Sequence, residues 1–240
     1  MKAKFRFEMI AFDADDTLWH SERYYEDAKE GLFGLLAPYG VEKETLFAIL
    51  HETEMAHLPL FGYGIKAFTL SMVEAAVKAT GGQVRGEEVR AVIGLGKAMV
   101  GHEMRLLDFA AETVARLAES HTLILITKGD LMDQERKITS SGLAGYFKHV
   151  EIVSDKTREV YAKMLDRHGV APERFLMVGN SMRSDILPVL ELGGYGVYVP
   201  YELIWVHEHS PAPGGMDGRY HEIDHLGQLP ALVAQLEGLI

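Results

Sequence analysis

The stretch Glu8-Met9-Ile10-Ala11-Phe12-Asp13-Ala14-Asp15-Asp16-Thr17 is a short apolar run that stops on carboxylates. It reads as a strand buried on both faces of a parallel sheet, because such strands carry continuous rather than alternating apolar residues. The chain beyond Leu107 repeats the theme with helices interposed. Helical patterns near Phe109–Ser120, Met132–Ser141, Thr157–His168 and Ser184–Leu192 alternate with apolar runs. Those runs are Thr122–Ile126, Val150–Val153, Phe175–Val178 and Gly196–Val199. Strand–helix alternation of this kind predicts an α/β fold, a doubly wound parallel sheet covered by helices on both faces.

Between the first strand and this region the pattern is helical. Tyr24, Ala28, Leu32, Leu35 and Leu36 recur at helical spacing, as do Leu46, Ile49 and Leu50, and then Ala67, Leu70, Met72, Val73 and Val77 up to the stop at Gly81-Gly82. The expected division is a core of residues 1–20 and 102–240 with a helical insert over 21–101. Leu58-Pro59-Leu60-Phe61-Gly62-Tyr63-Gly64 interrupts two helical patterns and reads either as a loop reaching the substrate or as a simple helix–helix turn.

The 240 residues are 48% hydrophobic and 25% charged, enough apolar material for a real core. Cysteine is absent, which excludes thiol catalysis, thiolate zinc sites and disulfides, and fits a reducing compartment. The basic start Met1-Lys2-Ala3-Lys4-Phe5-Arg6 is followed by no apolar stretch of signal-peptide length, so the cytoplasm is the expected location. No apolar run is long enough to span a membrane. A net charge of −11 argues against broad nucleic-acid binding while leaving room for a local positive pocket. Oligomeric state is not legible.

Ligands of open parallel sheets bind at the carboxyl ends of the strands. Those ends carry Asp13 and Asp15, then Thr127, then Gly179-Asn180-Ser181 with Asp185 shortly beyond, while Lys156 follows the third strand. Singly, each has an ordinary reading as a cap, a strand end or a solvated charge; together they converge on one edge. In this set the chain resembles the haloacid dehalogenase superfamily, whose members are mostly phosphatases with a Rossmann-like core. Asp13-Ala14-Asp15-Asp16-Thr17 matches the first motif and Thr127-Lys128-Gly129 the second. Lys156 matches the third, and Gly179-Asn180-Ser181 through Asp185 the fourth. Two positions depart from the family pattern. Asp16 stands where glycine is common, and its acid is expected to be solvated or to cap the following turn. Asn180 replaces an aspartate and brings an oxygen without a charge.

The resemblance implies a Mg²⁺-dependent phosphatase for a small phosphorylated metabolite, with the helical insert as a cap. It makes Asp13 the nucleophile and a metal ligand, and Asp15 a ligand through its carbonyl whose carboxyl serves as general acid and base. Asp185 is ranked as a direct ligand and Asn180 as one acting through water. Thr127, Lys128 and Lys156 are expected to hold the phosphoryl group. A hard cation suits such oxygen donors and offsets the repulsion between an anionic nucleophile and a phosphate dianion. Asp15 favours phosphatase over dehalogenase, because carbon–halogen cleavage expels a group that needs no proton.

Dehalogenase and phosphomutase chemistry are the rivals on the same fold. From another class, His221-Glu222-Ile223-Asp224-His225 fits the zinc-peptidase pattern, but the pattern works only on a helix and the segment lies between Gly218 and Gly227; a late strand, Arg219–Ile223, is the alternative. Gly94-Leu95-Gly96-Lys97 is expected to be a helix end or bend rather than a nucleotide loop. His207-Glu208-His209 has metal-ligand residue types but reads more simply as part of a polar loop, and Met55, Met99 and Met104 as core.

Overall fold

The computed structural model describes residues 6–203, 205, 208, 210, 211 and 218–238. The chain divides into two compact units. One comprises Met1–Glu22, Met104–Lys128 and Arg136–Ile240, and the other Arg23–Glu103 and Gly129–Glu135.

The first unit holds a six-stranded sheet in the order β3-β2-β1-β4-β5-β6. Its strands are β1 (Met9–Phe12), β2 (Thr122–Lys128), β3 (His149–Val153), β4 (Phe175–Gly179), β5 (Tyr195–Tyr198) and β6 (Tyr220–Glu222). Every pairing is parallel. The side-chain period of two sends alternate residues to opposite cores. Ile10 and Phe12 join Leu123, Leu125, Leu176 and Val178 on one face, with Ala110, Val114 and Leu117 of α5 (Ala110–Ala118) and Leu229 and Val233 of α9 (Leu229–Leu236). Met9 and Ala11 join Ile124, Ile126, Phe175 and Met177 on the other, with Tyr161, Met164 and Leu165 of α7 (Arg158–His168) and Val189 of α8 (Leu187–Glu191). Burial on both sides explains the unbroken apolar runs of β1, β2 and β4. The chain crosses from β3 to β4 over β1, so the order reverses between β1 and β4, the topological switch point where such sheets bind ligands.

The second unit is helical: α1 (Glu22–Leu36), α2 (Lys43–Phe61), α3 (Ile65–Ala79) and α4 (Gly86–Gly101). Ala28, Leu32, Leu36, Leu46, Leu50, Phe68, Met72 and Val92 form its core. Three expectations are corrected here. Leu58–Phe61 is the last turn of α2, which continues through Pro59, and only Gly62–Gly64 links it to α3. Leu70 and Val77 are exposed, because the buried side of α3 is set by Phe68, Met72, Ala75 and Ala76. The Gly94–Lys97 segment lies inside α4 rather than at an end, and its glycine serves packing: a Cβ on Gly96 would sit 2.1 Å from the Thr69 hydroxyl oxygen. Met99 is buried, and Met104 packs partly buried on the sheet core. Among the described residues, no helix is long and apolar enough to cross a membrane.

Candidate active site

Asp13 follows β1 directly, its amide donating to the Val178 carbonyl at 2.9 Å, so it stands at the switch point. The chain then turns sharply, with Leu18 N–H donating back to the Ala14 carbonyl at 2.8 Å. The turn requires Asp16 at φ 62°, the left-handed region that glycine adopts without cost. The Asp16 carboxylate instead accepts the amides of Ser21 (2.8 Å) and Glu22 (2.9 Å), capping the start of α1. Of its two expected roles, capping is the one it takes. Burial pushes its carboxyl up to about 7, against the pull of those amides.

Lys156, in the loop between β3 and α7, reaches into this edge and is almost fully buried. Its ammonium pairs with Asp13 Oδ1 and, at 2.8 Å, with Asp185 Oδ1. Burial lowers the tendency of Lys156 to be charged, but the two carboxylates outweigh it and hold the ammonium well above its ordinary pKa. For Asp185, burial and the like charge of Asp13 win over the pull of Lys156, and its carboxyl moves up to about 7. One ammonium does not balance two buried carboxylates. Thr17 joins the first and fourth motifs: its hydroxyl lies 2.9 Å from Asp13 Oδ2 and 3.3 Å from Asn180 Oδ1, and it accepts the Asn180 amide at 3.1 Å.

After β4 the chain forms a π-helical turn, Met182–Ile186. Such turns recur at functional sites because they re-aim a side chain. Here the turn aims Asp185 back under the strand, where its Oδ2 accepts the Ser181 amide at 3.0 Å. A Cβ on Gly179 would lie 2.2 Å from that oxygen, so only glycine ends β4 with Asp185 in place.

The Asp15 carboxylate turns to a different set of donors. Lys137 Nζ lies 2.7 Å from both of its oxygens, and the indole N–H of Trp19 donates to Oδ1 at 2.7 Å. Lys137 belongs to α6 (Leu131–Ser140). Thr127 is buried near the end of β2. Lys128, next along, pairs with Glu208 and donates to Ser184 Oγ at 2.9 Å. Ser181 and Ser184 hydroxyls also donate to Glu208. Burial would raise the Glu208 carboxyl, but Lys128 and the two hydroxyls hold it at about 2.

The model of the haloacid dehalogenase-like hydrolases matches residues 7–193, most of the chain and all four strand ends. The chain belongs to this family. A haloacid dehalogenase-like family hydrolase of Xanthomonas campestris is 36% identical, superposes with a TM-score of 0.86, and is matched over 100% of this chain and 95% of its own. A magnesium-bound HAD-hydrolase of Bacillus subtilis shares the fold at 17% identity and a TM-score of 0.64, with 95% and 99% covered. A glyceraldehyde 3-phosphate phosphatase of Methanothermobacter thermautotrophicus is 24% identical over 238 residues, 93% of this chain and 98% of the relative.

The sequence reading of this HAD-like hydrolase gave no site role to Lys137, Trp19 and Ser184, and left Glu208 in a polar loop. Trp19 carried a signal as a large aromatic two residues past the first motif, and Glu208 one as the centre of His207-Glu208-His209. Lys137 looks like a solvated charge, since α6 shows no apolar stripe, yet Asp133, Gln134 and Lys137 are all buried. The zinc-peptidase pair loses its geometry. His221 lies in β6, its Nε2 donating to the Gly218 carbonyl at 2.9 Å, while His225 lies beyond the strand with its ring 4.5 Å from that of Phe109. Without a helix the two do not share a face. His207 and His209 lie outside the described residues, and among the described ones no group of three or more His, Asp or Glu is arranged to hold a metal by itself.

Proposed function

We propose that this hydrolase is a phosphatase of small phosphate monoesters that works with Mg²⁺ through an aspartyl-phosphate on Asp13. The observation that carries the reading is the sharing of one buried ammonium by Asp13 and Asp185 at the switch point, with a third carboxylate, Asp15, two residues along. The donor set fits a hard divalent ion: the candidate ligands Asp13, Asp185, the Asp15 carbonyl and Asn180 all offer oxygen, and the cluster keeps uncompensated negative charge. Bound there, Mg²⁺ would offset the charge of the phosphoryl group.

The remaining chemistry belongs to the chain. A carboxylate oxygen of Asp13 bonds to phosphorus as the ester P–O bond breaks, and Asp15 gives its proton to the leaving oxygen. Water then cleaves the acyl phosphate while Asp15 takes a proton from it. Lys156 balances charge on the nucleophile, and the Thr127 hydroxyl holds a phosphoryl oxygen, with Lys128 as a further cation at that edge. The helical unit serves as a cap, limiting substrates to small esters. The named archaeal relative makes three-carbon phosphates the first class to test.

A panel containing glyceraldehyde 3-phosphate, other small phosphate esters and 2-haloacids, each with Mg²⁺ and with EDTA, decides the matter. Release of phosphate that vanishes with EDTA and returns with Mg²⁺ is expected. Halide release without phosphatase activity would replace the reading by a dehalogenase.

A further inference from the structure

We propose that Lys137 is the positioning residue that sets Asp15 for proton transfer, an inference that rests on the phosphatase reading above. Its ammonium meets both Asp15 oxygens at 2.7 Å, a two-point contact that fixes the plane of the carboxylate as well as its distance. Trp19 adds a third restraint on Oδ1 and is itself immobilised, fully buried in the sheet core. Lys137 is 8% exposed, so its head is removed from water and its orientation is set by packing and by Asp15 rather than by solvent. A buried lysine is costly without a partner, and Asp15 supplies one at 2.7 Å. The contact spans from α6 to the loop after β1, so the helix that follows the second motif anchors the side chain delivered by the first.

Both donors leave the Asp15 carboxylate aimed while its protons exchange with the substrate oxygen. Misplacing a catalytic group by about 1 Å costs on the order of 10²-fold in rate. Loss of Lys137 therefore affects proton transfer and not the attack by Asp13. The effect is greatest where the leaving oxygen needs a proton.

The test compares an alkyl phosphate with an activated aryl phosphate, whose leaving group departs unprotonated, in Lys137→Met, Lys137→Arg, Asp15→Asn and the double variant Asp15→Asn/Lys137→Met. The ratio of the two kcat values within one preparation is independent of how much protein has folded. In K137M the alkyl-to-aryl ratio is expected to fall at least ~10-fold, with K137R recovering part of it through its own two-point contact. The double variant should show the same ratio as D15N, since the two residues act as a unit. A ratio unchanged in K137M while it falls in D15N would overturn the role of Lys137 alone. A ratio unchanged in D15N would instead remove Asp15 as the acid, and the proposal with it.

Discussion

Asp13 and Asp15 are two residues apart and meet different partners, which makes their amide variants distinguishable. Asp13 is paired with Lys156 and linked to Thr17, whereas Asp15 is held by Lys137 and Trp19. On the proposed mechanism Asp13→Asn removes the attacking oxygen, so no phospho-enzyme should form. Asp15→Asn leaves the nucleophile but has no proton to move. With an activated aryl phosphate it should accumulate aspartyl-phosphate, and with alkyl phosphates it should lose roughly 10²–10⁴ in rate. Intact-protein mass after acid quench reads the difference; phosphoryl mass on the Asp13 variant would show that the nucleophile is another residue. Gly179 offers a second test at this scale. A Cβ there collides with Asp185, and either the carboxylate or the strand end must move. Gly179→Ala is expected to fold with weakened Mg²⁺ binding, measured as a rise in the Mg²⁺ concentration needed for half activity.

Helix α2 carries a group whose burial has a measurable cost. Glu54, flanked by Lys29 and Glu26, has its carboxyl raised to about 7, chiefly by desolvation. The folded form thus holds its proton to higher pH than the unfolded chain does. The stability this contributes is fully present below about pH 4.5 and is lost as the pH rises through 7. Above pH 7 the folded protein carries a poorly solvated carboxylate. Glu54→Gln should therefore stabilise the protein at pH 8 by about 1–3 kcal/mol, with the gain shrinking toward pH 5. Denaturant midpoints at the two pH values would show it; an equal effect at both would mean that Glu54 is solvated.

The two units have separate cores, one layered on the sheet and one among α1 to α4. The first unit pays for its site with Asp13 and Asp185 held together against one ammonium. A divalent cation that relieves this strain of charge must stabilise the fold by linkage. At ~100-fold over its dissociation constant, Mg²⁺ would add about 2.7 kcal/mol, several degrees in thermal midpoint for a chain of this size. Asp185→Asn should abolish that increment while leaving the metal-free protein no less stable, because it removes one of two like charges. Calorimetry of both proteins with and without Mg²⁺ tests this. An equal Mg²⁺ increment in the variant would place the ion elsewhere.

Local pattern determined much of this protein. A strand buried on both faces must be continuously apolar, and a helix must repeat its apolar residues every three or four positions, so β1, β2 and β4 and the helical nature of the insert were legible, while β3 and β5 followed from their alternation with helices. So were Asp13, Thr127, Lys156 and Asp185 as residues of one edge, since parallel strands present their carboxyl ends together. Contacts between distant segments left no such trace. Asp16 could be read as solvated or as a cap, and only the backbone turn at φ 62° brought its carboxylate to Ser21 and Glu22. Lys137 has no apolar periodicity to declare its burial; its place beside Asp15 follows from packing α6 against the sheet. Glu208, 80 residues from Lys128, meets it only because the chain returns to that edge after β5. Short-range periodicity records which surface each segment buries. Which charges then face one another across the interior is decided by the tertiary fold, because burial forces each charge to find a partner wherever the chain brings one.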